Sequence, residues 1–332
     1  MPPSAKVVVV GSIMQDLTLA CAEFPTSGQT IVGRLSVGQG GKGSNQAIAC
    51  DRAGVPTLFV GAMGRDSVAA QAEKFYRTEK IACHIVKKAG AASGTAVILL
   101  NRAGQNEIVI APGANALLAP ADVPLAALRR AAVVLTQLES SLATTAHVLR
   151  AARRAGVTTM LNPAPMREDF ATALLADVDI LIPNESEFVA LVRGWPRLKR
   201  RAFDETKLRA LSHDALHALC RELGVPTIIV TMGGQGCFVS EAHGYFFLPA
   251  HRGIKVEDTT GAGDAFCGGF AAGLVRTGGD ITAAARFGTT VAALSITKPG
   301  AASAMPKLAE VLRFDRRALR RSSEDEASAA AR

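Results

Sequence analysis

Aromatic residues make up only 5% of this 332-residue chain, with Trp195 the single tryptophan. Its core must therefore be aliphatic and alanine-rich, and a hydrophobic share of 48% is ample for one. The six cysteines, Cys21, Cys50, Cys83, Cys220, Cys237 and Cys267, are scattered, with no Cys-x-x-Cys pair. That spacing excludes a zinc ribbon or a disulfide frame, and predicts small core residues of a reducing, cytoplasmic compartment. No apolar run approaches the roughly 18 residues of a membrane helix, and the N-terminus carries no charged-then-apolar export signal. Charged residues are 20% of the chain, with a net charge of +8. The densest basic run is Arg197, Lys199, Arg200 and Arg201, beside Trp195; elsewhere basic residues are not interleaved with aromatics. The stacking platforms of a nucleic-acid binder are missing, so the positive balance suits small anions instead.

What is present is alternation. Residues 6–11 form an unbroken apolar run, the pattern of a strand buried on both faces. Segments 57–60, 132–135, 157–161, 178–182 and 226–230 read as further strands, with helices predicted over 66–78, 122–130 and 141–155. This predicts an α/β fold with a mostly parallel central sheet and helices on both faces. Four extended segments, 17–19, 30–37, 94–100 and 107–110, predict a smaller, separate sheet. A basic, irregular insertion is expected at 194–206 and a frayed tail at 316–332.

Residues 258–277 organise the chain. Gly261-Ala262-Gly263 permits a tight turn, Asp264 follows, and Phe266, Phe270 and Leu274 mark one helical face. The first amides of a helix lack internal partners and sit at its positive end, so this turn can hold an anion beside a carboxylate. Asp264 reads as a base that takes a proton from a hydroxyl during phosphoryl transfer. It reads equally as a favourable dipole partner in a first helical turn.

Three other stretches place polar groups past strands. Asp16 follows the first strand and Gly11-Ser12, where open α/β sheets gather ligands; it is a hydroxyl-binding carboxylate or a loop residue capping a turn. Gly38-Gln39-Gly40-Gly41-Lys42-Gly43-Ser44-Asn45-Gln46 precedes a helix predicted over 47–53. It is not a Walker loop, which needs Gly-Lys followed directly by Ser or Thr. Its glycines let backbone approach a small ligand, with Lys42 and Asn45 as partners for sugar hydroxyls, or they merely make a flexible loop. Asn184 and Glu187 fit both a capping box and a functional pair.

Taken in order, Gly-Gly-Lys-Gly-Ser-Asn at 40–45, Pro-Asn-Glu-Ser-Glu at 183–187, Thr-Met-Gly-Gly-Gln-Gly at 231–236 and Gly-Ala-Gly-Asp at 261–264 resemble the ribokinase-like (phosphofructokinase-B) sugar kinases. The likeness spans residues 5 to 315, and Gln-Leu-Glu at 137–139 with Asn-Pro-Ala-Pro at 162–165 is similar to the ribokinase branch. It implies a three-layer α/β/α sandwich at 1–315, with a discontinuous β lid near 15–40 and 93–112 that closes over the sugar and forms a homodimer contact. It implies ATP-dependent phosphorylation of the 5-hydroxyl of D-ribose, with Asp264 as base and Gly261, Ala262 and Gly263 as anion hole. Met14, Asp16, Gly41, Lys42, Asn45 and Glu139 fall at ribose-binding positions. Asn184, Glu187, Thr231, Gly233, Gly236, Gly263 and Gly288 fall at nucleotide positions, with Glu187 supporting Mg2+ through water. Asp258, Thr260, Ser295, Lys298, Gly300 and Ala304 match a monovalent-cation site, usually filled by K+. Met14 stands where bacterial relatives usually carry Asn. A thioether is a weak acceptor, so 2-deoxyribose is the alternative substrate. A nucleoside kinase and a non-catalytic sugar-binding regulator remain further readings.

Overall fold

In the computed structural model, which describes residues 5–198 and 202–316, the opening valine run lies at the middle of the molecule. That run, β1 (Val7–Val10), leads into β2 (Met14–Ala20) and β3 (Arg34–Gly40), and α1 (Lys42–Arg52) follows at once. Next come β4 (Thr57–Met63), α2 (Ser67–Glu79), β5 (Ala82–Lys87), β6 (Gly94–Leu100) and β7 (Asn106–Ala111). The middle of the chain supplies α3 (Leu125–Leu128), β8 (Val133–Thr136), α4 (Leu142–Arg154), β9 (Thr158–Leu161), β10 (Ile180–Leu181) and α5 (Glu185–Gly194). It continues through α6 (Glu205–Arg209), α7 (His213–Glu222), β11 (Thr227–Thr231), β12 (Gly236–Glu241) and β13 (Gly244–Pro249) to α8 (Ala262–Thr277) and α9 (Ile281–Ser295).

The larger sheet has the order β13-β12-β11-β10-β9-β8-β1-β4-β5. It is parallel from β11 to β5, and only the β11–β12 and β12–β13 pairs are antiparallel, at one edge. Val7 and Val9 enter one core with α1, α8 and α9, whereas Val8 and Val10 enter the core on the opposite face with α4. This alternation explains why the run is apolar at every position. Gly11-Ser12, Gln137–Glu139, Asn162, Asn184 and Thr231 all follow or end strands at the carboxyl edge of this sheet.

The smaller sheet has the order β3-β2-β6-β7. Its register makes its two faces distinct. Asp16 lies level with Gly38 and Ala96, and Leu17 level with Val37 and Val97, which pairs Val109. The Leu17 row leaves Val37 and Val109 exposed, while on the Asp16 face Met14, Ala96 and Ile98 are buried.

Several expectations need correction. Asp16 is in strand β2, not a loop. Gly38 to Gly40 end strand β3, and α1 begins at Lys42, not at residue 47. The early start is a packing effect: a Cβ on Gly43 would lie 2.6 Å from Gly11 C and Ser12 N, so only glycine lets the helix end meet β1's exit. The helix predicted over 122–130 shrinks to Leu125–Leu128, because Pro124 disfavours helical geometry in the residue before it. Strands β5 and β13 and helix α7 went unread. The insertion expected at 194–206 runs into α6 at its last two residues, with Lys199, Arg200 and Arg201 outside the described residues. The tail expected at 316–332 lies outside them from residue 317 onward. Among the described residues, no helix is long and apolar enough to cross a membrane.

Candidate active site

Gly261 caps the N-terminus of α8 in the left-handed region, at φ 75°, which costs glycine little and other residues more. Every residue from Asp264 to Leu274 is buried, so α8 is enclosed on all sides rather than on the single face its Phe266-Phe270-Leu274 spacing predicts. It packs on α1 and α9, and a Cβ on Gly268 would lie 2.4 Å from the Gln46 carbonyl oxygen. This close approach brings α1 side chains to the first turn of α8. Asp264 Oδ2 accepts from Asn45 Nδ2 and Oδ1 from Gln46 Nε2, each at 2.9 Å. The carboxylate is therefore buried, doubly hydrogen-bonded and set at the positive end of a helix.

The N-terminus of α1 is fixed from the other side. Glu139 Oε2 accepts from the Lys42 backbone N–H at 2.9 Å and also from Ser12 Oγ. Asp16 reaches towards the same place from β2, and a Cβ on Gly40 would overlap its carboxylate at 2.0 Å. Burial, then the charges of Glu139 and Asp264, push the Asp16 carboxyl up to about 7. Burial works to lower the Lys42 ammonium, but Asp264, Glu139 and Glu187 outweigh it and hold it above its ordinary value. One lysine thus sits among the site's carboxylates. Met14, also from β2, is buried, with its Sδ 3.9 Å from Asn115 Nδ2. Asn115 donates from the same nitrogen to Ile13 O at 2.8 Å and to Pro112 O at 3.0 Å, and accepts from Ile13 N at 2.9 Å.

Two cavities meet at the N-terminus of α8. The smaller, about 200 Å³, is polar and is lined by Lys42, Asn184, Glu187, Gly261, Gly263 and Asp264, among others. The larger, about 380 Å³, is mostly apolar, with Ile254, Val256, Phe266, Ala292, Ala293 and Ile296 in its wall. Thr231, Thr259, Ala262 and Gly263 line both. A compact anionic group fits the junction, and a flat apolar one fits the larger space.

The pfkB family carbohydrate kinase model matches residues 4–308. The chain belongs to this family of carbohydrate kinases. It is 33% identical over 312 residues to a ribokinase of Staphylococcus aureus, covering 92% of this chain and 98% of that one. It is 32% identical over 309 residues to a deoxyribokinase of Salmonella typhimurium, covering 91% and 96%. Its fold matches that of Arabidopsis thaliana ribokinase complexed with ribose and ATP, with TM-score 0.81, 28% identity, and 94% and 99% of the two chains covered.

Within this carbohydrate kinase the anticipated residues fall into three groups. Met14, Asp16, Gly41, Lys42, Asn45, Glu139 and Asp264 gather where β2, α1 and α8 converge, although Lys42 also faces the small cavity. Asn184, Glu187, Thr231, Gly233 and Gly236 lie along the two cavities. Asn184 and Glu187 do form a reciprocal capping box: Asn184 N donates to Glu187 Oε2 at 2.9 Å, and Glu187 N to Asn184 Oδ1 at 2.8 Å. Burial, opposed by the Asn184 amide and the Lys42 charge, leaves the Glu187 carboxyl above its ordinary value. Two placements differ from expectation. Gly288 does not line the larger cavity; a Cβ there would lie 3.0 Å from Phe266 O and 3.1 Å from Phe270 N, so it serves the packing of α9 on α8. The Ala262 N–H already donates to Thr259 O at 3.1 Å, whereas no backbone carbonyl takes that of Gly263.

The third group joins two loops. Asp258 Oδ1 accepts from Thr260 N and Oδ2 from Gly300 N, both at 2.8 Å. Those bonds hold the Asp258 carboxyl below its ordinary value in spite of burial. Ser295 Oγ donates to Ala292 O, and Ala304 is buried in the same region. The Lys298 side chain turns outward to Glu310, at 2.7 Å, so its ammonium takes no part in this group. Sequence reading missed Gln46 and Asn115, both buried polar residues of the site. Gln46 directly follows the glycine-rich stretch, and Asn115 sits two residues past the Pro112-Gly113 turn signal.

Proposed function

We propose that this kinase transfers the γ-phosphoryl group of ATP to the 5-hydroxyl of D-ribose, giving D-ribose 5-phosphate. The observation that carries the reading is Asp264: a buried carboxylate in the first turn of α8, where the polar cleft and the apolar cavity meet. Asp264 takes the hydroxyl proton. The Gly261–Gly263 turn, through the Gly263 amide above all, faces the charge on the moving phosphoryl group. Asp16, Lys42, Asn45 and Glu139 bind and orient the sugar, and Gly233 and Gly236 shape the nucleotide loop. The ribokinases among the relatives, one of them holding ribose and ATP, support this assignment.

The smaller sheet acts as the lid, with its Asp16 face over the sugar, and closing it excludes water as a competing acceptor. Its opposite face exposes Leu35, Val37 and Val109, and we assign this face to a homodimer contact. Among the described residues, no group of three His, Cys, Asp or Glu could hold a metal ion. Glu187, lining the small cavity with both oxygens engaged by Asn184, suits instead Mg2+ that arrives on the nucleotide and keeps its waters. When bound, that ion neutralises phosphate charge. The oxygen-rich loops tied by Asp258 suit a monovalent cation such as K+, held by backbone carbonyls of Ser295, Lys298, Gly300 and Ala304.

The deciding experiment is a sugar panel with ATP and magnesium, run with and without potassium. Ribose should be the best acceptor, and an absence of ribose-dependent ATP consumption would overturn the proposal. Met14 favours a second reading. A buried thioether, not an amide, stands at this position two residues before Asp16, and the deoxyribokinase relative is nearly as similar as the ribokinase. We expect 2-deoxyribose to be a poorer but usable substrate, and Met14→Asn to raise the preference for ribose by about tenfold. Equal kcat/KM ratios in the two proteins would remove Met14 from this role.

A further inference from the structure

Gln46 is completely buried beside the base, and the proposed mechanism leaves it without a part. Its Nε2 donates to Asp264 Oδ1 at 2.9 Å and to Asn162 Oδ1 at 3.1 Å, and its Oε1 accepts from Gln137 Nε2 at 2.6 Å. Asn162 in turn donates to Ile182 O at 2.8 Å. An ionised carboxylate only accepts, so Gln46 must turn its amino group to Asp264 and its oxygen to Gln137. The direction of the whole chain follows from that one charge. Gln137 has room because residue 11 is glycine; a Cβ there would lie 2.0 Å from its Oε1.

The second oxygen is held differently. Asp264 Oδ2 accepts from Asn45 Nδ2 at 2.9 Å, but the Asn45 Oδ1 is buried with no partner among the described residues. A buried acceptor without a donor is costly, and a sugar hydroxyl entering the cleft would supply one. One carboxylate therefore has an oxygen anchored through two successive buried amides, Gln46 and Gln137, and an oxygen covered by one, Asn45. The acceptor left over in each run, Gln137 Oε1 and Asn45 Oδ1, is buried with no partner among the described residues.

We propose that Gln46 is the positioning residue of the catalytic base, anchoring Asp264 Oδ1 so that Oδ2 meets the substrate hydroxyl, and that Asn45 covers Oδ2 until the sugar replaces it. This rests on the reading of Asp264 as base. On arrival, the hydroxyl donates to Oδ2 and Asn45 turns its amide to the sugar. The hydroxyl proton then passes to Oδ2, the hydroxyl oxygen bonds the γ-phosphorus, and the bond from that phosphorus to the β,γ-bridging oxygen breaks, leaving ADP. Oδ1 cannot take the proton, because the Gln46 amino group already points at it. The other groups facing Asp264 are Asp16, Lys42, Glu187 and Cys267, and none of them changes in the variants below.

The test is steady-state kinetics of Gln46→Met and Gln137→Met with ribose and ATP, between about pH 5 and 9. Gln46→Met should lose about 10- to 100-fold in kcat, the range for a lost hydrogen bond to a charge, with KM for ribose within about threefold. The acid limb of its kcat/KM profile should move up by about one pH unit, since a carboxylate that loses a donor protonates more readily. Gln137→Met should shift the limb the same way by less, and the double variant should be no worse than Gln46→Met. Gln46→Glu, which keeps the shape and adds a like charge, should move the limb further still. Full turnover in Gln46→Met, or reduced turnover with an unmoved acid limb in both Gln46 variants, would overturn the assignment. Wild-type turnover in Asp264→Asn would instead sink the base reading on which it stands.

Discussion

The two sides of the α8 N-terminus are built on different chemistry. On one side Lys42, Glu187 and Asp264 line a small polar cavity, with Asp16 and Glu139 close enough for their charges to act on Lys42. On the other, Val256, Phe266, Ala292 and Ile296 enclose nearly twice the volume with few polar side chains. Buried donors and acceptors reject a ligand that leaves them unpaired, whereas an apolar wall rejects little beyond what will not fit. The polar side is therefore the selective one, and the apolar side binds chiefly by area.

The sharpest way to break this comparison is at the junction itself. Asp264→Asn should lower kcat by roughly 10²–10⁴-fold, the range for a positioned base, while ribose binding persists. Near-normal turnover would mean that the polar side binds without doing chemistry. A smaller effect is expected across the junction. Ile296→Ala removes wall from the apolar cavity, which should raise KM for ATP by about 5- to 30-fold with kcat nearly unchanged. A fall in kcat at saturating ATP would show instead that this wall aligns the phosphates, and the division of labour would fail.

The same two sides differ in how far they could be read from sequence. The Gly-Ala-Gly-Asp turn was legible because a tight turn followed by helical spacing is local information. So was the Asn184–Glu187 box, whose partners are three residues apart. The α/β alternation carried the main sheet for the same reason. The start of α1 was not legible, since the helix begins on a Lys-Gly pair held in place by Gly11, Ser12 and Glu139, residues far away in the chain. Gln46 was missed because its meaning depends on Asp264, 218 positions later. Gly288 was misplaced by a single helical step: its neighbour Thr289 faces the cavity, and Gly288 faces α8. Sequence spacing fixes a helix face only when the neighbours are known.

The smallest effect concerns stability, and it sharpens the comparison because the buried carboxylates cluster on the polar side, while His251 is the titratable residue lining the apolar one. The Asp16 carboxyl is pushed up to about 7 in the folded chain, against an ordinary 3.8. Between those values the folded chain holds a proton that the unfolded chain has released, so stability falls as pH rises through this window. Asp51, pushed by burial up to about 6, and Glu187, raised by burial above its ordinary 4.5, act with the same sign, whereas His251, lowered by burial, opposes them near its ordinary 6.5. Asp258 is lowered and acts below its ordinary 3.8, and Lys42 is raised and acts above 10.5, so neither enters the window. The contribution of Asp16 is then isolated by difference. The melting temperature of Asp16→Asn minus that of the wild type should grow from about pH 5 to 8, by a few degrees. Ile296→Ala, on the apolar side, leaves every titratable group in place and should differ from the wild type by the same amount at every pH. A constant offset for both variants would mean that the cleft carboxylates stay ionised in the empty protein, with Lys42 compensating them fully.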